Sequence, residues 1–460
     1  MAETRLSFKE KFSYGLGDTA SNIVFQSVMM FLMFFYTDIF GLSPAAVGTM
    51  FLLVRVLDAI TDPVMGALAD RTQTRWGKFR PYLIWLAVPY AAICILTFTT
   101  PDWSDSAKLI YAYVTYALLM VMYTAINIPY CALGGVLTND PKERVSLQSY
   151  RFVLASAGGL MVSGLTLPLV AWLGGGDNAK GYQLAIALMS VMGIGMFVIC
   201  FANTRERVTA VTESTSSFFG DLKGLFRNDQ WMLLSILTFL IVIGVMIRGA
   251  VALYYVKYVL DSESLSTAFM TLGMLGMLIG SGLAPLVTRR YCKIKVYSFC
   301  NVGIAALCVV FYLEGHSSIA LAFGLHFIIG LLQQLTTPLL WAMLSDTVDY
   351  GEWKGGSRIT GLAFSATLFA LKLGMALAGA LTGWVLAGYG YDGGLAVQSD
   401  EAKNGIILLF TAVPAVTAII GAVLVRRYQL DDETLIAVQS KLQKKEPFMP
   451  LAQLRSARAN

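Results

Sequence analysis

Long apolar runs, separated by short polar turns, recur along the whole chain. A membrane-crossing helix needs roughly 20 mostly apolar residues. Twelve stretches meet that need, at about 14–37, 46–69, 82–100, 109–133, 150–173, 183–203, 231–259, 266–287, 297–313, 319–344, 361–387 and 406–425. The pattern predicts an all-α integral membrane protein. The first thirteen residues are polar and charged, with no short apolar core and no small-residue cleavage site, so the first crossing is expected to direct insertion itself.

Charge fixes the orientation. Of the 34 Lys and Arg residues, 26 fall in the N-terminus, alternate loops and tail that one side of the membrane would hold, and three (Lys108, Lys180, Lys403) in the loops opposite. The positive-inside rule then places both termini in the cytoplasm. A polar linker over 204–230 divides the crossings six and six, giving a first lobe over 1–203, a second over 231–425 and a cytoplasmic tail over 426–460. Within the linker, the stretch around Phe218–Arg227 reads as a short interfacial helix. Two six-helix lobes joined on the inside are the layout of a secondary transporter.

Composition agrees: 56% of residues are hydrophobic and 14% charged, against about 25% charged in an ordinary soluble protein. The net charge of +5 is modest and forms no nucleic-acid-binding face. The six cysteines show neither a secreted disulfide framework nor paired metal-ligand spacing. Phosphate-binding loops, H-E-x-x-H and G-x-S-x-G are absent, so the chain is expected to be no enzyme and to use no cofactor. An ion gradient would drive it instead.

Charge inside the crossings is the chemical signal, since it costs several kcal/mol at the bilayer centre. Asp58 and Asp62 lie four residues apart, on one face of a helix that also carries Arg55. Carboxylates suit a hard cation such as Na⁺ or, when desolvated, a proton. Structural ion pairing with Arg55, Arg151 or Lys372 is the plainer alternative. Asp18, Asn22 and Gln26 share a face of the first crossing that suits sugar hydroxyls, although a solvated Asp18 is an equal possibility. Tyr123, Thr124, Asn127 and Cys131 surround Pro129 in the fourth, as ligand contacts or as helix packing. Arg248 and Lys257 are partners or interface anchors, and His326 is left outside the site.

The motifs S-Y-G-L-G-D, F-F-Y-T-D-I-F-G-L, R-V-L-D-A-I-T-D-P-V-M-G, R-W-G-K-F-R-P, N-I-P-Y and D-Y-G-E-W-K-G-G-S-R, in order from Tyr14 to Tyr391, resemble the glycoside–pentoside–hexuronide:cation symporters. This is the sodium:galactoside symporter, or melibiose-permease, group of the major facilitator superfamily. The resemblance implies a bacterial inner-membrane carrier, a small-molecule sugar or glycoside substrate, Na⁺ or H⁺ as coupling ion, and alternating access. By resemblance the cation site is Asp58, Asp62, Thr61 and Thr124, with Asp58 and Asp62 holding Na⁺ if sodium is the ion. Thr61 stands where melibiose-type members have Asn. Asn22 and Asn127 replace the family's sugar-binding carboxylates, and Cys131 its stacking aromatic. Arg151 and Lys372 match the family's sugar-site Arg and cavity Lys. Asp18 joins this substrate set from the residues alone, one turn before the matching position. Asp70, Arg71 and Lys78 fall on the cytoplasmic gating loop. The lipid bilayer is the expected environment and a monomer the expected state. A lipid or lysolipid carrier of this fold and a non-transporting sugar sensor are the competing readings.

Overall fold

The computed structural model describes residues 6–138, 141–207, 223–288, 290–315, 317–355, 360–444, 446–451 and 453–454, apart from certain side chains within them. Among these residues, regular structure is helical throughout, with one isolated bridge between Thr74 and Gly77. Each of the twelve expected stretches is helical. Nine described helices are long and apolar enough to cross a membrane. The first three stretches are not among these nine.

Helix α1 (Phe8–Ser27) starts at Ser7, whose Oγ accepts from the Glu10 amide at 3.2 Å. It continues through π turns at Val28–Leu32 and Phe35–Ile39, with a polar first half. In α2 (Pro44–Arg71), Ser43 is the cap and Pro44 the first residue, while Arg55, Asp58 and Asp62 interrupt the apolar run. The third stretch breaks at Leu86 into α3 (Arg80–Trp85) and α4 (Ala87–Thr97). Pro89 explains the break: its ring excludes the carbonyl four residues back, at Trp85, but fits the first turn of a new helix.

Then follow α5 (Asp105–Val136), α6 (Pro141–Gly174), α7 (Asn178–Asn203), α8 (Asp229–Tyr254, extended by a π turn over Tyr255–Val259), α9 (Ser266–Thr288) and α10 (Lys293–Glu314). The chain ends with α11 (Ile319–Gly355), α12 (Thr360–Gly388), α13 (Asp400–Ile407), a π turn at Leu408–Ala412, α14 (Val413–Leu424) and α15 (Asp432–Gln443). Within the expected interfacial stretch, residues 223–226 are helical and 218–222 lie outside the described residues.

Two compact units emerge. One comprises Met1–Thr212, Ala252–Thr271 and Thr382–Lys403; the other Glu213–Val251, Leu272–Leu381 and Asn404–Asn460. In the first, α1 packs on α6 and α7, and α2 on α5. The Tyr14 and Tyr130 rings stack 4.8 Å apart, and the Tyr130 hydroxyl donates to the Tyr14 carbonyl at 2.7 Å. In the second, α10 packs on α11 and α14. Here Arg248 donates to the Phe410 carbonyl and pairs with His326 Nδ1, each at 3.0 Å. The tail is docked: α15 lies on α11, Trp353 donates to the Glu446 carbonyl at 3.1 Å, and Leu451 and Leu454 are buried. The Lys441 ammonium, 2.6 Å away, holds the exposed Glu446 carboxyl below its ordinary pKa.

The basic turn after α2 is built around Glu206. Its carboxylate accepts from the amides of Lys78, Phe79 and Arg80 at 2.8, 2.8 and 3.0 Å, at the start of α3. Gly77 has φ +113°, and a Cβ there would collide with the Glu206 carboxylate. Gly77→Ala combines left-handed strain with that collision and is expected to cost about 1–3 kcal/mol. A lowered melting temperature of the purified protein checks this; an unchanged one shows that the carboxylate moves aside freely.

Candidate functional site

The proposed cation residues lie on α2 and α5, and helix geometry sets their directions. Successive residues turn by about 100°, so Thr61 and Asp62 point to either side of the direction of Asp58. Arg55 Nη1 donates to Asp58 Oδ2 at 3.0 Å, with both side chains almost fully buried. Thr124 Oγ1 donates to Asp62 Oδ1 at 3.0 Å, which joins α5 to the acidic face of α2. Thr61 Oγ1 donates to the Asp58 carbonyl at 3.4 Å, so its oxygen keeps lone pairs for an ion. Counted together, Arg55, Asp58 and Asp62 carry one net negative charge when both acids are ionised. A single monovalent cation or proton neutralises that set.

The residues proposed for the substrate, in the same unit, form a second group. Asp18 and Arg151 make a two-pronged ion pair: Nε to Oδ2 at 2.9 Å and Nη2 to Oδ1 at 3.4 Å. Arg151 also reaches Cys131 Sγ at 3.4 Å and lies over the Tyr130 ring, 5.3 Å from its centre. Asn22 Nδ2 donates to the Asp18 carbonyl at 3.0 Å, and Asn127 Nδ2 to the Tyr123 hydroxyl at 3.4 Å. Asp18 is therefore buried against Arg151 rather than solvated at a helix end. The sequence makes Arg151 a candidate partner of Asp58 or Asp62; its hydrogen-bonded acid is instead Asp18. The guanidinium and carboxylate cancel, so the polar face around Asn22 and Asn127 has no net charge from this pair.

Helix α5 connects the two groups. Thr124, Asn127 and Cys131 fall within about 60° of one another around its axis. Thr124 holds the acidic face, and Cys131 touches the arginine of the substrate group.

Lys372 lies on α12 in the other unit, with a partly buried side chain. The Asp70 side chain lies outside the described residues. Arg71 is exposed at the end of α2, and what Lys78 contributes to the turn is its backbone amide on Glu206. Sequence reasoning missed Glu206 and Tyr130. Glu206 sits more than 120 residues from the amides it holds, with no local spacing to reveal it. Tyr130 is part of N-I-P-Y, where an aromatic reads as ordinary packing.

Comparison with known proteins follows the same lines. Residues 13–432 match the family described as MFS/sugar transport protein. The chain is 49% identical over 424 residues to the inner membrane symporter YicJ of Escherichia coli (strain K12), covering 92% of each chain. It is 37% identical over 429 residues to the isoprimeverose transporter of Lactiplantibacillus pentosus, covering 92% of this chain and 89% of that one. The crystal structure of a D-xylose–proton symporter superposes with a TM-score of 0.65 at 14% identity, over 92% of this chain and 97% of the other, which shows a shared fold. A family match over most of the chain and relatives this similar leave one conclusion: the chain belongs to the MFS/sugar transport protein family and is a multi-pass membrane transporter, not an enzyme.

Proposed function

We propose that the protein is a bacterial inner-membrane symporter that imports a sugar or glycoside together with Na⁺ or H⁺. The cation enters at Asp58, Asp62, Thr61 and Thr124. The sugar hydroxyls meet Asn22, Asn127 and Arg151, with Asp18 and Cys131 completing the face. The observation that carries this reading is the continuity of α5, whose Thr124 bonds Asp62 while Cys131, on the same face as Asn127, meets Arg151. An ion that settles between Asp58 and Asp62 orders Thr124 and, through the helix, the polar face beyond it. The single net negative charge of the Arg55–Asp58–Asp62 set favours one cation per turnover.

The relatives named an isoprimeverose transporter and a glucuronide carrier homolog support a glycoside as the substrate class. Thermal unfolding of the purified protein with pentosides, hexosides and hexuronides, each with and without Na⁺ at two pH values, tests the coupling. Linkage requires reciprocity: the coupling ion should tighten sugar binding by about tenfold, and the sugar should tighten ion binding by the same factor. A sugar that stabilises the protein equally under every ionic condition would rule symport out.

A further inference from the structure

The motif F-F-Y-T-D-I-F-G-L at the end of the first crossing has no part in the two groups above. Its acid, Asp38, sits in the π turn Phe35–Ile39 with a side chain 1% exposed. Tyr391 donates to both carboxylate oxygens at 2.8 Å, Thr37 Oγ1 to Oδ2 at 2.7 Å, and Tyr258 Oη to Oδ1. Lys257 Nζ stands 3.7 Å away, over the Phe34 and Tyr258 rings. The Thr37 hydroxyl also meets Tyr254 Oη at 2.8 Å. All these residues lie in the first compact unit. They come from three distant parts of the chain: the end of α1, the π turn that ends α8, and the segment after α12.

Close backbone fits surround this centre. A Cβ at Gly393 would collide with the Thr37 carbonyl, and one at Gly383 with the Pro44 carbonyl. Trp384 Nε1 donates to Thr49 Oγ1 at 3.1 Å. By the charge asymmetry of the loops, this is the side of the protein away from the cytoplasm.

We propose that Asp38 is the outer latch of the carrier, and that its bonds to Tyr258, Tyr391 and Lys257 must break for the substrate face to open outward. The proposal uses the reading above only in requiring alternating access. A buried carboxylate stripped of half its donors is strongly disfavoured, whereas a fully opened one regains water. The latch therefore has two good states, closed with its donors and open in solvent, and nothing stable between. Asp38→Asn removes the attraction to Lys257 and places an amide that cannot accept at both positions from Tyr391. Tyr391→Phe removes one donor and keeps the ring.

The native Cys131, exposed on the substrate face, reports on opening. A membrane-impermeant maleimide is added outside intact cells, and labelling is followed in the parent, Asp38→Asn and Tyr391→Phe proteins. Cys131→Ser controls identify the signal in each. Labelling of Cys131 should speed up by about tenfold in Asp38→Asn and about threefold in Tyr391→Phe, because each loosens the closed state by lost charge-assisted hydrogen bonds. Equal rates in both variants and the parent would overturn the proposal. If Asp38→Asn does not reach the membrane folded, Tyr391→Phe alone decides. The assay needs neither substrate nor coupling ion, so a wrong sugar or ion assignment does not alter what the labelling rates mean.

Discussion

Asp62→Asn is expected to abolish concentrative uptake, by about 100-fold or more, while leaving the protein folded. Thr124 can still donate to the carbonyl oxygen of the new amide, so the α2–α5 contact survives. What disappears is the second negative charge of the cation set. Arg55 and Asp58 then cancel, and no net negative charge of this set remains to draw a cation in. Asp58→Asn should behave differently although the residue is one turn away. It leaves the Arg55 guanidinium buried beside a neutral amide, and breaking a buried pair from one side costs about 3–5 kcal/mol. Uptake against a gradient in vesicles, measured beside the melting temperature, separates the two: Asp62→Asn loses uptake alone, Asp58→Asn loses uptake and stability. Accumulation by either variant at the parent's level would remove these residues from the coupling site.

Arg151→Ala is expected to destabilise the protein by about 3–5 kcal/mol, because it leaves the Asp18 carboxylate buried without its charge partner. Adding Asp18→Asn should return most of that stability, since the double variant buries no unmatched charge. Sugar binding should stay lost in both, because the arginine is gone from the substrate face. A double-mutant cycle in thermal unfolding, with glycoside binding as the second readout, makes this quantitative. Additive losses would mean that the pair contributes little and that Asp18 finds other donors. Complete recovery of binding in the double variant would place Arg151 in a purely structural role.

The fold is legible in the sequence because it depends on bulk quantities. Apolar length specifies a crossing and loop charge its direction, and neither needs a tertiary contact. The acidic pair on α2 is legible for a related reason: charge in a crossing is rare, and four-residue spacing places Asp58 and Asp62 on one face. Pairings across the chain are less accessible. Local spacing offers Arg151 several acids, and only the packing of α1 on α6 selects Asp18. Asp38 does not stand out within its motif, because it lies at a crossing's end, where an acid reads as solvated. Its burial depends on Tyr258 and Tyr391, more than 200 residues away. Glu206 is hidden in the same way, as one charge among many in a polar linker.

The π turns carry a consequence for how this chain can change over evolutionary time. Each holds one residue more than an α-helix would place in the same length, so a single deletion there could heal the helix at no cost in hydrogen bonds. Such a deletion between Phe35 and Ile39 would leave the turns on either side in place and redirect the side chains within the window itself. Asp38 would swing away from Tyr258 and Tyr391 while the polar face of α1 stayed in place. The same holds for Tyr255–Val259, which sets Lys257 and Tyr258. In these short windows, loss of one residue is a graver change than most substitutions, and length rather than chemistry is what selection has to guard.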